Sequence, residues 1–131
     1  IGDYCDLLIM PLNGELCFDN GYESNSVHNY SSKFKKKNET ASPGVYQVYL
    51  DKHGIKCNLT TTPRVGIHEY EYSDTNNHPS IVIDLEHRDQ LLEWELTLTG
   101  KNEISGKRVS RSWAEEQYFY FCIQFSSEFS K

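Results

Sequence analysis

The stretch Glu93-Trp94-Glu95-Leu96-Thr97-Leu98-Thr99 alternates without a fault. On an extended backbone successive side chains point to opposite faces, so Trp94, Leu96 and Leu98 share one side while Glu93, Glu95, Thr97 and Thr99 share the other. A helix would smear the same residues around its circumference. The stretch is therefore a β-strand, and it sets the period to look for elsewhere.

Working outward, period two recurs. In 55–62, IKCNLTTT, the inward set is Ile55, Cys57 and Leu59. The runs 44–50, GVYQVYL, and 80–86, SIVIDLE, are apolar on both faces for most of their length and read as interior strands. In 118–125, YFYFCIQF, Phe119, Phe121, Ile123 and Phe125 lie opposite Tyr118, Tyr120 and Cys122, a pattern expected to be covered on both faces. The run 64–72, RVGIHEYEY, carries a phase conflict, because Val65 and Ile67 fall on one parity and Tyr70 and Tyr72 on the other. With Val65 and Ile67 placed in the core, a bulge near Gly66–His68 is required. No helix of three turns can be written, although 86–92 has room for one turn. Turn signals at Asn13-Gly14, Asn20-Gly21, Pro43-Gly44, His53-Gly54, 74–79 and Gly100 punctuate the strands. The expected class is all-β, an antiparallel β-sandwich with little or no helix.

Composition agrees. Of 131 residues 37% are hydrophobic, enough for a core, and the aromatics are mostly Tyr (nine) and Phe (six), which favour strands. A net charge of −6 argues against nucleic acid as a partner, since phosphate binding needs a basic face. The one basic run, Lys33 and Lys35–Lys37, sits in a polar stretch and reads as a solvated loop. Nothing approaches the ~18 apolar residues of a membrane-spanning helix. The four cysteines show no metal-ligand spacing; Cys57 and Cys122 lie in strand patterns and are expected to be buried thiols.

Candidate chemistry is sparse. Glu115 and Glu116 are adjacent and point apart on an extended backbone, so they do not flank one bond and read as solvated turn residues. Asp84, Glu86 and His87 make too thin a shell for calcium, which takes ~6–8 oxygens. Three Asn-x-Ser/Thr triplets, at Asn29, Asn38 and Asn58, read as chance matches. Trp113 follows Arg108 and Arg111; it is either a sugar-stacking platform together with Arg111, or a sandwich-edge tryptophan with arginine stems lying over it.

Four stretches in register carry a resemblance: GDYCDLLIMP (2–11), PGVYQVYL (43–50), LTTTPRVGIHEYEY (59–72) and ISGKRVSRSWAEEQYFYFCIQFS (104–126). Together they resemble the N-terminal domain of glycoside hydrolase family 92, the calcium-dependent, inverting exo-α-mannosidases, many of them α-1,2-specific. The resemblance implies a β-sandwich packed against an (α/α)₆ barrel that holds the acid, the base and the calcium ligands. On that reading residues 1–131 form a single β-sandwich domain, an internal fragment of a larger N-terminal domain, with the catalytic barrel absent. No catalytic or metal-binding residue is then expected here, and calcium belongs to the parent enzyme. Asp3 is the one residue expected to line the substrate site. Pro63 stands where the family commonly has Glu, so a strand edge or irregularity is expected there. The implied partners are mannose-containing glycans, reached through the parent enzyme, and its own catalytic domain, in a secreted or periplasmic setting. Self-association of the fragment is also expected, through 6–10 or 118–125. The alternative is a stand-alone carbohydrate-binding or cell-surface module without catalysis.

Overall fold

The computed structural model describes residues 5–22, 27–74 and 78–129. Nine strands run through them: β1 (Leu8–Asn13), β2 (Glu39–Ser42), β3 (Val45–Leu50), β4 (Ile55–Thr61), β5 (Gly66–Tyr72), β6 (Pro79–Asp84), β7 (Gln90–Leu98), β8 (Glu103–Arg111) and β9 (Gln117–Gln124). The helical content among the described residues is one 3₁₀ turn, Lys36–Asn38, and 86–89 is a series of bends rather than a turn of helix. The all-β antiparallel class predicted from period two is observed, with sheets consistent with a β-sandwich. The chain divides into two compact units, Ile9–Val82 and Ile1–Leu8 with Ile83–Lys131.

In the first unit, β2, β3, β4 and β5 form an antiparallel sheet in chain order. Pro43-Gly44 closes the β2–β3 hairpin, with Gly44 at φ +79°, a conformation that favours glycine. One face of the sheet holds the core: Val48, Leu50, Ile55 and Cys57 are buried, with Met10, Tyr46, Leu59, Tyr70 and Tyr72 packed against them. Ile55, Cys57 and Leu59 point inward as the alternation predicts. The opposite face carries a polar ladder in which Asn58 accepts from Gln47 (3.0 Å) and donates to Glu69 (2.9 Å) and Glu71 (2.8 Å).

The expected bulge is absent. Pairing between β4 and β5 runs unbroken from Ile55↔Tyr72 to Thr61↔Gly66. The tyrosines, not Ile67, take the core face, and Ile67 is 60% exposed. The reason lies in the loop. Thr62 donates its N–H to Val65 O (2.8 Å), and Val65 N–H donates to the Thr62 hydroxyl (3.1 Å). Only Pro63 and Arg64 remain between them, and so short a connection fixes register. Pro63 thus occupies the turn, where its missing N–H leaves no ladder bond unmade. β6 also differs from expectation: it pairs with β1 in a two-stranded sheet, although Val82 is buried.

In the second unit β8 lies between β7 and β9. A register shift does occur here, between Leu91 and Glu93. Beyond it Trp94, Leu96 and Leu98 align with Arg108, Gly106 and Ile104, which align in turn with Phe119, Phe121 and Ile123. Gly106 is required at the centre of that face. A Cβ there would lie 2.7 Å from Glu95 O and 2.9 Å from Phe121 Cε1, and closer still to Phe121 Cζ. β9 is not covered on both faces: Phe119, Phe121 and Ile123 are half-buried, whereas Tyr118, Tyr120 and Cys122 are exposed. An edge strand with one open face accounts for this, and it overturns the expectation of a buried Cys122.

Candidate functional site

The most heavily constrained group in the second unit is built around an arginine. Arg108 shares the parity of Ile104 and Ser110 on β8, both buried, and its own side chain is 0% exposed. A buried guanidinium persists only with its donors satisfied. Nε–H donates to Leu85 O (2.7 Å), Nη1 to Asp6 Oδ1 (3.1 Å) and Nη2 to Arg88 O. Asp6, 5% exposed, also accepts from Gln117 Nε2 at both carboxylate oxygens (2.8 Å each). Beside it, His87 Nε2 meets Cys5 O at 2.6 Å and His87 Nδ1 meets Asp84 O at 2.9 Å. This cluster ties residues 5–6, the 84–88 bend, β8 and β9 together. With Arg108 engaged on Asp6 and two backbone carbonyls, and Asp6 on Arg108 and Gln117, it is an internal clamp rather than a substrate site.

Trp113 lies in the turn between β8 and β9 and is 86% exposed. The turn is held by Arg111 Nε donating to Glu115 O (3.2 Å) and Ser112 N–H to Ala114 O (3.2 Å). Arg108 does not lie over Trp113, because it is drawn inward by Asp6; that part of the edge reading is corrected. Glu115 and Glu116 are exposed, and Glu116 accepts from Tyr118 OH (2.5 Å), a bond that raises the phenol's pKa. Asp3 lies outside the described residues. Asp84, Glu86 and His87 do not gather as ligands: Asp84 Oδ1 accepts the Glu86 N–H (2.7 Å), and both His87 ring nitrogens face carbonyls. Among the described residues no three His, Cys, Asp or Glu side chains converge on one point, so this donor set does not fit calcium.

Titration in the first unit follows packing. Burial pushes the Cys57 thiol up to about 11. Burial, reinforced by the bond to Glu39 (2.7 Å), pushes Tyr46 up to about 12. His53 is pulled down by burial although its Nε2 sits 3.0 Å from Tyr30 O. His68 is also pulled down by burial; its Nδ1 meets Tyr70 OH at 2.7 Å and much of the residue is open to solvent. These are features of a core and its rim, without a paired acid and base.

The profile of the glycosyl hydrolase family 92 N-terminal domain matches residues 1–131. The chain belongs to this family. Among solved structures, the family GH92 alpha-mannosidase BT3965 from Bacteroides thetaiotaomicron is similar at TM-score 0.85 and 28% identity, covering 94% of this chain and 17% of that one. The structure of BT3965 in complex with mannoimidazole is similar to the same degree, with 16% of that chain covered. A search of curated protein sequences finds no match. The family 92 chain described here therefore spans about a sixth of the length of these relatives.

The sequence pointed to Trp113 and Arg111 and missed Asp6, Arg108 and Gln117. A signal for Arg108 was present, a charged residue at an inward-facing parity of β8. Asp6 precedes β1 and has no period to betray it.

Proposed function

We propose that this family 92 chain is part of the N-terminal domain of an exo-acting α-mannosidase, probed best as an α-1,2-mannosidase, which supports the catalytic domain and walls its sugar site. The observation that carries the reading is the match of all 131 residues to the family's N-terminal domain, supported by the likeness to an α-mannosidase. Inversion requires a carboxylic acid and a carboxylate ~6.5–9.5 Å apart with a water between them. On this reading both belong to the catalytic domain, as do the ligands of calcium, which would help position sugar hydroxyls when bound. The contribution of this chain is architectural: the Asp6–Arg108 clamp ties residues 5–6 to the 84–88 bend, β8 and β9, and on this reading Asp3 lines the substrate site. On this reading the parent enzyme is secreted or periplasmic.

The test compares this chain with the intact parent on α-1,2-, α-1,3- and α-1,6-linked mannobiose. The chain alone is expected to release no mannose and the parent to release it from the α-1,2 substrate. Mannose release by the repurified chain, or its absence with the parent on every linkage, overturns the proposal. The exposure of Trp113 favours a second reading, a carbohydrate-binding module. That reading requires binding of mannose oligosaccharides by the isolated chain, lost in Trp113→Ala.

A further inference from the structure

Residues 5–6 and the 84–88 bend are tied to one another twice, by side chains of different kind. The first tie is Arg108, which donates to Leu85 O, Asp6 Oδ1 and Arg88 O. An arginine keeps its charge in proteins, so this tie is permanent. The second tie is His87. Its Nε2 meets Cys5 O at 2.6 Å, across 82 positions of sequence, and its Nδ1 meets Asp84 O at 2.9 Å. Both partners are carbonyl oxygens, which accept and have no hydrogen to give. A neutral imidazole has one N–H and one bare lone pair. It satisfies one of these contacts and sets lone pair against lone pair at the other. Only the doubly protonated ring donates at both, so the two contacts together are those of an imidazolium.

We propose that His87 is a proton-operated latch: the protonated ring holds Cys5 to the 84–88 bend, and loss of the proton opens that contact while the Arg108 tie stays closed. The proton leaves from Nε2. The Nε2 contact is exposed, so water can donate to the bared lone pair, whereas the Nδ1 contact is part-buried and reaches back only three residues. A contact across so short a loop loses little chain entropy and is the one the neutral ring keeps. The charged neighbours have partners of their own. On the bend, Asp84 Oδ1 accepts the Glu86 N–H, Arg88 Nε pairs with Asp89 Oδ1 at 3.6 Å, and Glu86 is exposed. In the facing segment the Cys5 thiol is exposed and Asp6 accepts from Arg108 and Gln117. β8 contributes Arg108, and β9 contributes the neutral Gln117. Because both ring contacts are to main chain, the latch follows the proton on His87 and not the titration of a partner.

The experiment is an NMR titration of the 131-residue chain from about pH 5 to 9, following the His87 ring nitrogens and the backbone amides of Asp6 and Leu85. Each amide shares a peptide group with a carbonyl that the ring contacts, Cys5 O for Asp6 and Asp84 O for Leu85. Both ring nitrogens are expected to carry protons at the acid end. As pH rises, Nε2 should lose its proton and the Asp6 amide should shift in step with it, while the Leu85 amide moves less. Spin relaxation separates opening from a change of nearby charge: the Cys5 amide should become more mobile across the step and Asp6, held by Arg108, should not. His87→Gln keeps one donor and has no charge to lose, so the step at Asp6 should vanish; circular dichroism checks that the variant is folded. A ring whose protonation does not change between the two ends, loss of the proton from Nδ1 instead, or a Cys5 amide equally ordered on both sides of the step would each overturn the proposal.

Discussion

Asp6 and Arg108 are 102 positions apart in sequence and meet at 3.1 Å, with the arginine removed from solvent. An ion pair so enclosed is more informative broken than intact. Removing one partner leaves a charge that the interior cannot solvate, which typically costs about 3–5 kcal/mol. Asp6→Asn should therefore lower stability by about 3 kcal/mol in urea titrations. Adding Arg108→Met to it should cost less than the two single losses summed, because the orphaned charge is removed. Additive losses would show that the pair is not coupled.

Two glycines give opposite expectations. Gly106→Ala forces a methyl group against Glu95 O and the Phe121 ring, and backbone cannot step aside; a loss of about 1–3 kcal/mol is expected. Gly66→Ala meets nothing nearer than His68 Nε2 at 3.8 Å, on an unbroken ladder. Its melting temperature should match or slightly exceed wild type, since alanine narrows the unfolded ensemble. A severe loss at position 66 would restore the bulge that the register excludes.

Acid should loosen the first unit before the carboxylates titrate. Burial lowers the His53 pKa in the folded chain, so between that value and the unfolded value near 6.5 the unfolded chain binds more protons. Stability is then complete above about pH 6.5 and declines as pH falls below it. His68, lowered in the same sense, adds to the decline. His53→Gln should flatten part of this slope in melting curves from pH 7.5 to 5; an unchanged slope would remove His53 from the account.

The thiols of Cys57 and Cys122 should react on different clocks. Cys122 is exposed, while Cys57 is buried and its pKa is pushed up to about 11, which suppresses the thiolate. At pH 8 a maleimide should label Cys122 promptly and Cys57 only in denaturant, as read by peptide mass spectrometry. Equal labelling rates would contradict the core placement of Cys57.

Much of the fold was legible because period two is a direct consequence of extended backbone. Trp94, Leu96 and Leu98 share a face, and Ile55 and Cys57 are inside, as alternation dictates. What misled was hydrophobicity taken residue by residue. Ile67 looked like core, yet the two-residue connection after Thr62 set the register and put Tyr70 and Tyr72 on the core face instead. The exposure of Cys122 and Tyr120 depends on β9 being an edge, which no local pattern states. The clamp was invisible for a related reason: Asp6 and Arg108 are brought together by strand order, not by spacing.

The order of the first sheet has a kinetic meaning. β2, β3, β4 and β5 are neighbours in space in the sequence in which they are made, joined by loops of two to four residues. Each pairing closes a short loop, with little chain entropy lost in the search. The Asp6–Arg108 contact must instead close nearly the whole chain. Amides of Val48 and Cys57, and those of Arg108 and Ser110 in the equally sequential β7–β8–β9 sheet, should accordingly gain protection from hydrogen exchange early in refolding, before the clamp closes.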